Sequence, residues 1–332
     1  MGVWLVDADT LASSRFVVSP LTETVAALAV LHHGGTAHPG QRAWLEAHRP
    51  AYRARLAADP VTGLLVSSVL GRRWLADFVT PPPEYEPGGF AAELATVRAT
   101  PPATARVDVA VTLGGPVPEA LDRDDLPARM AGLLDWVWTH TVAPSWPRTR
   151  RILEADVVAR IGQVGRGGWS AALGGLRPGT SWEGGGHLRI NTMNHPPRDI
   201  SGGRLVLVPV THDARWVGWA RRAGTWRYSV VYPCSGALAD TGAPRAPRAL
   251  EHLLGAGRAD VLTLLAAPKS TTQLVALTGQ RLGSVGRHLR VLREAGLVGR
   301  RRAGRSVLYH RMAAGDALVD AADGLRPARH EA

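Results

Sequence analysis

The stretch that decides the fold of the C-terminal part of the chain is Arg281–Arg311, RLGSVGRHLRVLREAGLVGRRRAGRSVLYHR. It holds nine arginines and one acidic residue, Glu294. The whole chain of 332 residues has a formal net charge of +11, so the positive charge is concentrated in this segment. A basic segment of this kind indicates a polyanionic partner.

The apolar residues of this stretch predict a helix followed by a hairpin. They recur at spacings of three, four and three residues, at Leu282, Val285, Leu289 and Leu292. This spacing predicts a helix over about 282–295 with one buried stripe. Segments 298–302 and 305–311 predict the two strands of a hairpin that turns at Ala303-Gly304.

The residues before this stretch predict three shorter helices. Two lie at 248–254 and 258–266, and a third begins after Ser270, with Gln273 completing a capping-box pattern and Gly279 ending it. This order of helices with a basic hairpin is typical of a winged helix-turn-helix, which binds DNA. The alternative is a solvated basic face on a small helical domain.

The segment VGRHLRVLREAGLVGRRRAGRSVLYHRM, residues 285–312, resembles the recognition helix and wing of ArsR/SmtB-type transcription regulators. The resemblance covers about residues 246–325. It implies a dimeric regulator, a repressor, on a near-palindromic operator in double-stranded DNA. The long N-terminal part is similar to an uncharacterised domain attached to some ArsR-like proteins of GC-rich bacteria.

The resemblance also implies which residues contact DNA. On the recognition helix, 282–295, they face the major groove, and on the wing, 298–311, they lie near phosphates or the minor groove. They are Ser284, Arg287, His288, Arg290, Arg300, Arg301, Arg302, Arg305 and Ser306. The family often has Ser or Thr where Arg281 stands, and Ser where Gly286 stands, so the usual helix cap and one usual contact are missing here.

We expect no metal and no cofactor. Many family members bind metal through a cysteine pair on the helix before the recognition helix, but residues 272–278 contain neither Cys nor His. A second family site uses Asp and His on the C-terminal helix. Asp316, Asp320, Asp323 and His330 stand there with poor spacing, and exposed acids on a solvated helix explain them better.

The rest of the chain predicts an α+β protein: a mostly helical N-terminal domain with a small β-sheet, followed by the winged helix-turn-helix. We expect a regulatory or dimerisation domain at 1–243 and the DNA-binding domain at 244–325. Predicted helices lie at 19–32, 41–58, 63–78, 90–99, 124–140 and 147–164. Predicted strands lie at 187–191, 204–210 and 226–233.

The composition restricts compartment and cross-links. The only cysteine is Cys234, which excludes an internal disulfide and a Cys-based zinc site within one chain. No segment resembles a signal peptide, and no apolar run approaches the roughly 20 residues that span a bilayer. We therefore expect a soluble, cytoplasmic protein without a membrane partner.

The N-terminal part leaves its own function open. All 11 tryptophans lie in it; most should be core, and a sharper hypothesis is a pocket for a small organic effector. His187, His195, Asp199 and His212 suggest at most a weak catalytic constellation, and loop histidines and salt bridges explain them better. Cys234 is either a small buried hydrophobe or a redox-sensitive thiol. We expect no enzyme; the alternative is an enzyme with a C-terminal winged-helix interaction module.

Overall fold

The protein, as a computed structural model, divides into two compact units, Met1–Cys234 and Ser235–Ala332. The structure describes residues 2–34, 39–71, 74–86, 88–174, 176, 179–192, 195–222, 224–234, 246–266, 268–303 and 306–323. The predicted domain boundary between residues 243 and 244 lies outside these described residues, so its position stays a prediction. The α+β class is confirmed.

The N-terminal unit is mostly helical and contains two sheets. Its elements in chain order are β1 (Gly2–Leu5), α1 (Ala8–Ser13), β2 (Arg15–Phe16), α2 (Pro20–His33), α3 (Pro39–Ala57), α4 (Pro60–Val69), α5 (Phe90–Arg98), α6 (Pro102–Leu113), α7 (Leu126–Val137), α8 (Trp146–Leu173), β3 (Ser181–Gly184), β4 (His187–Asn191), β5 (Arg198–Asp199), β6 (Arg204–Val210), β7 (Trp216–Arg222) and β8 (Thr225–Pro233).

Helix α2 lies at the centre of this unit. Ser19 caps it, because its side chain accepts a hydrogen bond from the Thr22 amide at 2.9 Å, and Pro20 occupies the first helical position. Eleven of its 14 residues are buried. A helix that is apolar on all sides is stable only when other elements surround it, so α2 organises the helices around it.

One sheet separates two hydrophobic cores. Its strand order is β2-β6-β8-β7, with β6 parallel to β2 and β8. Along β6, Val206, Val208 and Val210 belong to the helical core, whereas Leu205 and Leu207 belong to the second core. This alternation follows from the two-residue period of a strand, and burial on both faces is typical of parallel strands.

The second sheet has the order β3-β4-β1-β5. Strand β1 pairs antiparallel with β4 and parallel with β5, so the start of the chain is the third strand of four. Its Trp4 is 1% exposed and packs in the second core. The sequence predicted one small sheet from three strands, and this unit contains two four-stranded sheets. Strands β2 and β5 have two residues each, too few to show a period.

Two predicted helices have other bounds in the structure. The segment 63–78 is not one helix: α4 ends at Val69, and Leu70 forms a bridge with Leu75. The chain approaches itself closely there. A Cβ at Gly71 would lie 2.7 Å from the Trp74 carbonyl oxygen, so this position has room only for glycine. The segment 147–164 continues to Leu173 as α8, with non-helical backbone at Gly167 and Gly168.

The C-terminal unit has the element order of a winged helix-turn-helix. Its elements are α9 (Arg248–Leu254), α10 (Ala256–Leu264), α11 (Thr271–Thr278), α12 (Leu282–Glu294), β9 (Val298–Ala303), β10 (Ser306–Arg311) and α13 (Ala313–Asp323). Helix α10 packs against α11 and α12, and α13 packs against α9, α10 and β10. The predicted helices and the hairpin are present.

Glu93 on α5 is a buried carboxyl in the N-terminal unit. Its Oε2 accepts hydrogen bonds from the Ser19 hydroxyl at 2.6 Å and the Leu21 amide at 3.0 Å. Burial raises the pKa of Glu93 to about 7, while those two hydrogen bonds lower it. The folded chain therefore holds a proton here that the unfolded chain loses near pH 4.5.

We expect Glu93 to make the stability of this unit depend on pH. A carboxyl with a raised folded pKa stabilises fully below its unfolded pKa, and that contribution is lost as the pH rises through the folded value near 7. Relative to Glu93→Gln, the wild type should lose roughly 2–3 kcal/mol between pH 5 and 8. Thermal melts followed by tryptophan fluorescence measure this difference. Glu46→Gln, at an exposed position of α3, is the control, and its difference in stability from the wild type should not change with pH. A difference for Glu93→Gln that also does not change with pH would contradict the prediction, because the carboxyl would then be ionised already at pH 5.

Candidate nucleic-acid interface

Helix α11 and the turn after it are fixed by local hydrogen bonds. The Ser270 hydroxyl accepts from the Gln273 amide at 3.2 Å, and the Gln273 side chain accepts from the Ser270 amide at 2.6 Å. This is the predicted capping box, and it is confirmed. Gly279 follows with φ +69°, the left-handed conformation that glycine adopts without strain. The chain then enters α12 at a defined angle.

Helix α12 is held by one apolar stripe. Val285, Leu289 and Leu292 are 0%, 2% and 1% exposed. Helix α12 packs against α10 and α11, which carry buried residues such as Leu262 and Leu274. The predicted stripe is thus confirmed at three of its four positions, and it presents the opposite face of α12 to solvent.

Leu282 is the exception to the predicted stripe, because it is 62% exposed. It is the first residue of α12, one turn before Val285. The elements that cover Val285 do not reach this first turn, so the periodicity continues in the sequence while the burial does not. The prediction that Leu282 is buried is wrong.

The solvent face of α12 carries arginines. Arg287 and Arg290 are exposed, and Ser284 is half-buried at the edge of this face. At 100° per residue, Arg287 points away from the Val285–Leu292 stripe. Arg281 precedes the helix and makes no side-chain cap hydrogen bond, as its departure from the family pattern predicted.

His288 lies differently from its neighbour Arg287. It is half-buried, and a Cβ on Gly257 of α10 would lie 2.6 Å from its Nε2 atom. Burial lowers the pKa of His288, and the charges of Arg258 and Arg287 lower it further. The neutral ring therefore packs against α10. Its predicted contact with DNA stays a prediction.

The hairpin of β9 and β10 carries further arginines. Arg300 and Arg301 are exposed and pair with Tyr309 and Leu308 across the hairpin. On its other edge β10 bonds to Lys269, with N–O distances of 2.9 and 2.8 Å between the backbones of Lys269 and Tyr309. This third segment fixes the wing on the unit.

The first strand of the wing ends one residue later than predicted. Strand β9 extends to Ala303, which pairs with Ser306, the first residue of β10; the predicted turn residue Gly304 lies outside the described residues. The side chains of Arg302 and Ser306, and the whole of Arg305, lie outside the described residues, so their predicted contacts are not addressed by the structure.

Five arginines next to or on α12 and β9 lack an ion-pair partner within the described part of the chain. They are Arg281, Arg287, Arg290, Arg300 and Arg301. In the N-terminal unit, by contrast, arginines such as Arg106 and Arg129 bind carboxylates at 2.7 Å. Unpaired arginines on two adjacent elements attract a polyanion, and phosphates would relieve their mutual repulsion.

The acidic residues near the C-terminus are the candidate ligands of the second metal site that the family resemblance raised. Asp316 forms an ion pair with Arg311 at 3.2 Å. Asp320 is exposed, while the Asp323 side chain and His330 lie outside the described residues. Across the described part of the chain, no group of three or more His, Cys, Asp or Glu side chains is arranged to hold a metal ion.

The four polar residues that suggested a weak catalytic constellation are divided among different surroundings. His187 and Asp199 pair with Leu5 from opposite sides of β1. The ring of His195 lies 6.4 Å from that of Trp74. The Nδ1 atom of His212 lies 3.0 Å from Glu23 Oε1, and both side chains are buried.

The cluster around Glu23 is a feature that the sequence did not show. Glu23 is 1% exposed on α2 and accepts hydrogen bonds from the amide and hydroxyl of Thr211. The Trp44 ring contacts His212, and Gln41 donates to the Thr211 carbonyl at 2.7 Å. This network ties α2 and α3 to the end of β6. Glu23 lies 188 positions before Thr211 and 189 before His212, so no local sequence pattern predicts this network.

Cys234 and the tryptophans are mainly core residues. Cys234 is 2% exposed, and burial raises the pKa of its thiol well above the usual range. This supports the small buried hydrophobe over a reactive thiolate. Trp4 and Trp216 are buried, and seven other tryptophans pack against the two cores: Trp44, Trp136, Trp138, Trp146, Trp169, Trp182 and Trp219. The effector pocket stays a prediction.

Comparisons with known proteins bear on the C-terminal unit alone. A family model described as bacterial regulatory protein, arsR family, matches residues 256–299, which cover α10, α11, α12 and the start of β9. No curated protein and no solved structure matches the chain. Among the helices in the described ranges, none is long and apolar enough to cross a bilayer. The segment that contains α10, α11 and α12 is therefore similar to the helix-turn-helix of arsR-family regulators, which indicates a DNA-binding function for this unit.

Proposed function

We propose that the protein is a transcriptional repressor that binds a near-palindromic operator as a homodimer. The observation that carries the proposal is the exposed arginine face of α12 within the ArsR-family match at residues 256–299. Arg287 and Arg290 are exposed on a helix that is anchored by buried residues on its opposite face. A rigid basic helix of this diameter fits the major groove, where a guanidinium binds guanine in bidentate fashion.

The wing binds the DNA backbone in this proposal. Arg300 and Arg301 are exposed on β9, and both lack ion-pair partners in the described part of the chain. Arg302, Arg305 and Ser306 belong to the same contact surface by their place in the sequence. Backbone contacts fix the register of α12 on the duplex but carry no sequence information themselves.

Two copies of the chain form the DNA-binding species. Leu253 on α9 is 66% exposed, and in this proposal it lies in the contact between the two copies. A two-fold dimer presents two recognition helices, which accounts for a near-palindromic site. In this proposal the protein binds its operator in the cytoplasm.

The N-terminal unit senses a small organic effector in this proposal and performs no catalysis. Occupation of the effector site changes DNA affinity, provided that the effector binds the free and the DNA-bound protein differently. The buried thiol of Cys234 and the divided surroundings of the polar candidates support a role other than catalysis.

Replacing Arg301 by alanine tests the backbone contact. It should weaken binding of the full chain to all duplexes alike, because a phosphate contact carries no sequence information. The slope of log K against log salt should become shallower by about 0.9, the change expected for one phosphate. Fluorescence anisotropy with the chain's own upstream DNA and with a shuffled duplex measures both effects. Arg151→Ala, at an exposed position on α8, is the control; an equal change there would contradict a specific role of the wing.

A further inference from the structure

The first turn of α12 presents an apolar side chain inside a basic surface. Leu282 is 62% exposed at the first helical position. It follows Arg281, and Arg287 and Arg290 extend from the same helix. A face that only needed to be solvated or to attract phosphates would not be expected to keep a large aliphatic side chain at this position.

The residues beside Leu282 keep it accessible. Gly283 follows it, and Gly286 stands one turn later on the same side of the helix. A Cβ built on either glycine meets no atom within 4 Å, so the packing of the described residues requires neither glycine. Both also lower helix propensity relative to alanine. A ligand that approaches the first turn of α12 closely would explain why glycines stand on this side of the helix.

Duplex DNA is the occupant that fits these observations. The surrounding charge is positive and unpaired in the described part of the chain, so the occupant is a polyanion. Within the major groove the exposed apolar group is the C5-methyl of thymine, which aliphatic side chains contact. Leu282 provides an aliphatic end at the tip of the helix that would enter the groove.

We propose that Leu282 is a specificity-determining residue that contacts a thymine methyl group in the major groove. Gly283 and Gly286 allow the base edge to come close enough for that contact. The proposal rests on the proposed DNA-binding function and adds a base that the arginines do not read. It predicts an operator in which each half-site contains a thymine opposite the first turn of α12.

The test uses the duplex that the full-length wild type selects from a random 30-base-pair pool. This duplex is synthesised once with thymidine and once with deoxyuridine, which lacks only the methyl. The wild type should bind the deoxyuridine form at least about four-fold more weakly, the factor expected for one apolar carbon group returned to water. Leu282→Ala should bind the thymidine form more weakly and should bind both forms equally.

Leu113→Ala is the matched control, because it removes an exposed leucine from α6, in the N-terminal unit. It should keep the full sensitivity to deoxyuridine. The inference is overturned if the wild type binds both forms equally, or if Leu282→Ala loses as much affinity as the wild type on removal of the methyl. If the wild type enriches no duplex and shows no salt-dependent binding to DNA, it is the proposed function that fails.

Discussion

Leu289→Ala should destabilise the C-terminal unit by about 2–5 kcal/mol, the cost of truncating a buried leucine and leaving a cavity. Leu289 is 2% exposed at the middle of the α12 stripe, with Val285 and Leu292 on either side. Close packing leaves the surrounding side chains little freedom to fill the space. The recognition helix would then be the first element to lose its position.

The sequence provides a convenient measurement of this effect. All 11 tryptophans precede residue 227, so tryptophan fluorescence reports the N-terminal unit alone. Hydrogen exchange of peptides from α10 to α12 should accelerate strongly in Leu289→Ala, while the fluorescence melt stays unchanged. Leu282→Ala makes the same chemical change on the same helix at an exposed position, and it should alter stability by less than about 0.5 kcal/mol. Equal effects of the two variants would contradict the assigned orientation of α12.

Arg287→Ala should lower the affinity for the operator by about 1–3 kcal/mol and relax the preference for one base pair. Arg287 is exposed on the face of α12 opposite the packed stripe. In the proposed contact the guanidinium of Arg287 donates two parallel hydrogen bonds to guanine, a pattern that no other base accepts in the major groove. The loss should therefore be larger on the selected duplex than on a shuffled one.

Arg287→Lys separates base reading from charge. Lysine keeps the positive charge but lacks the planar fork of arginine. We expect its salt dependence to match the wild type, while its base preference is relaxed as in the alanine variant. Anisotropy titrations against duplexes altered at single base pairs measure both properties. If the lysine variant kept the full base preference, Arg287 would be acting as a simple cation.

Features with local causes could be predicted from the sequence. The capping box needs only Ser270 and Gln273, three residues apart, and the structure contains both of its hydrogen bonds. The stripe of α12 follows from a period of 3.6 residues, and three of its four members are buried. The order of helices and hairpin in the C-terminal unit follows from these signals together.

Features that depend on distant contacts could not be predicted. Whether Leu282 is buried depends on how far neighbouring helices extend, which its own spacing does not encode. His288 continues the polar face in the sequence but packs on Gly257, 31 positions earlier. The segment 63–78 has the apolar pattern of one helix, yet α4 ends at Val69, where the chain turns beside α6. The Glu23–His212 contact joins residues 189 positions apart.

The measurement that tests the central claim most directly is the salt dependence of DNA binding by the full-length wild type. Labelled duplex from the chain's own upstream region is titrated at several salt concentrations between about 50 and 200 mM. We predict a straight line of log K against log salt, with a slope near −0.9 for each phosphate that the arginines of α12 and the wing neutralise. Binding that is absent, or that does not change with salt, would contradict the assignment of this basic unit to DNA.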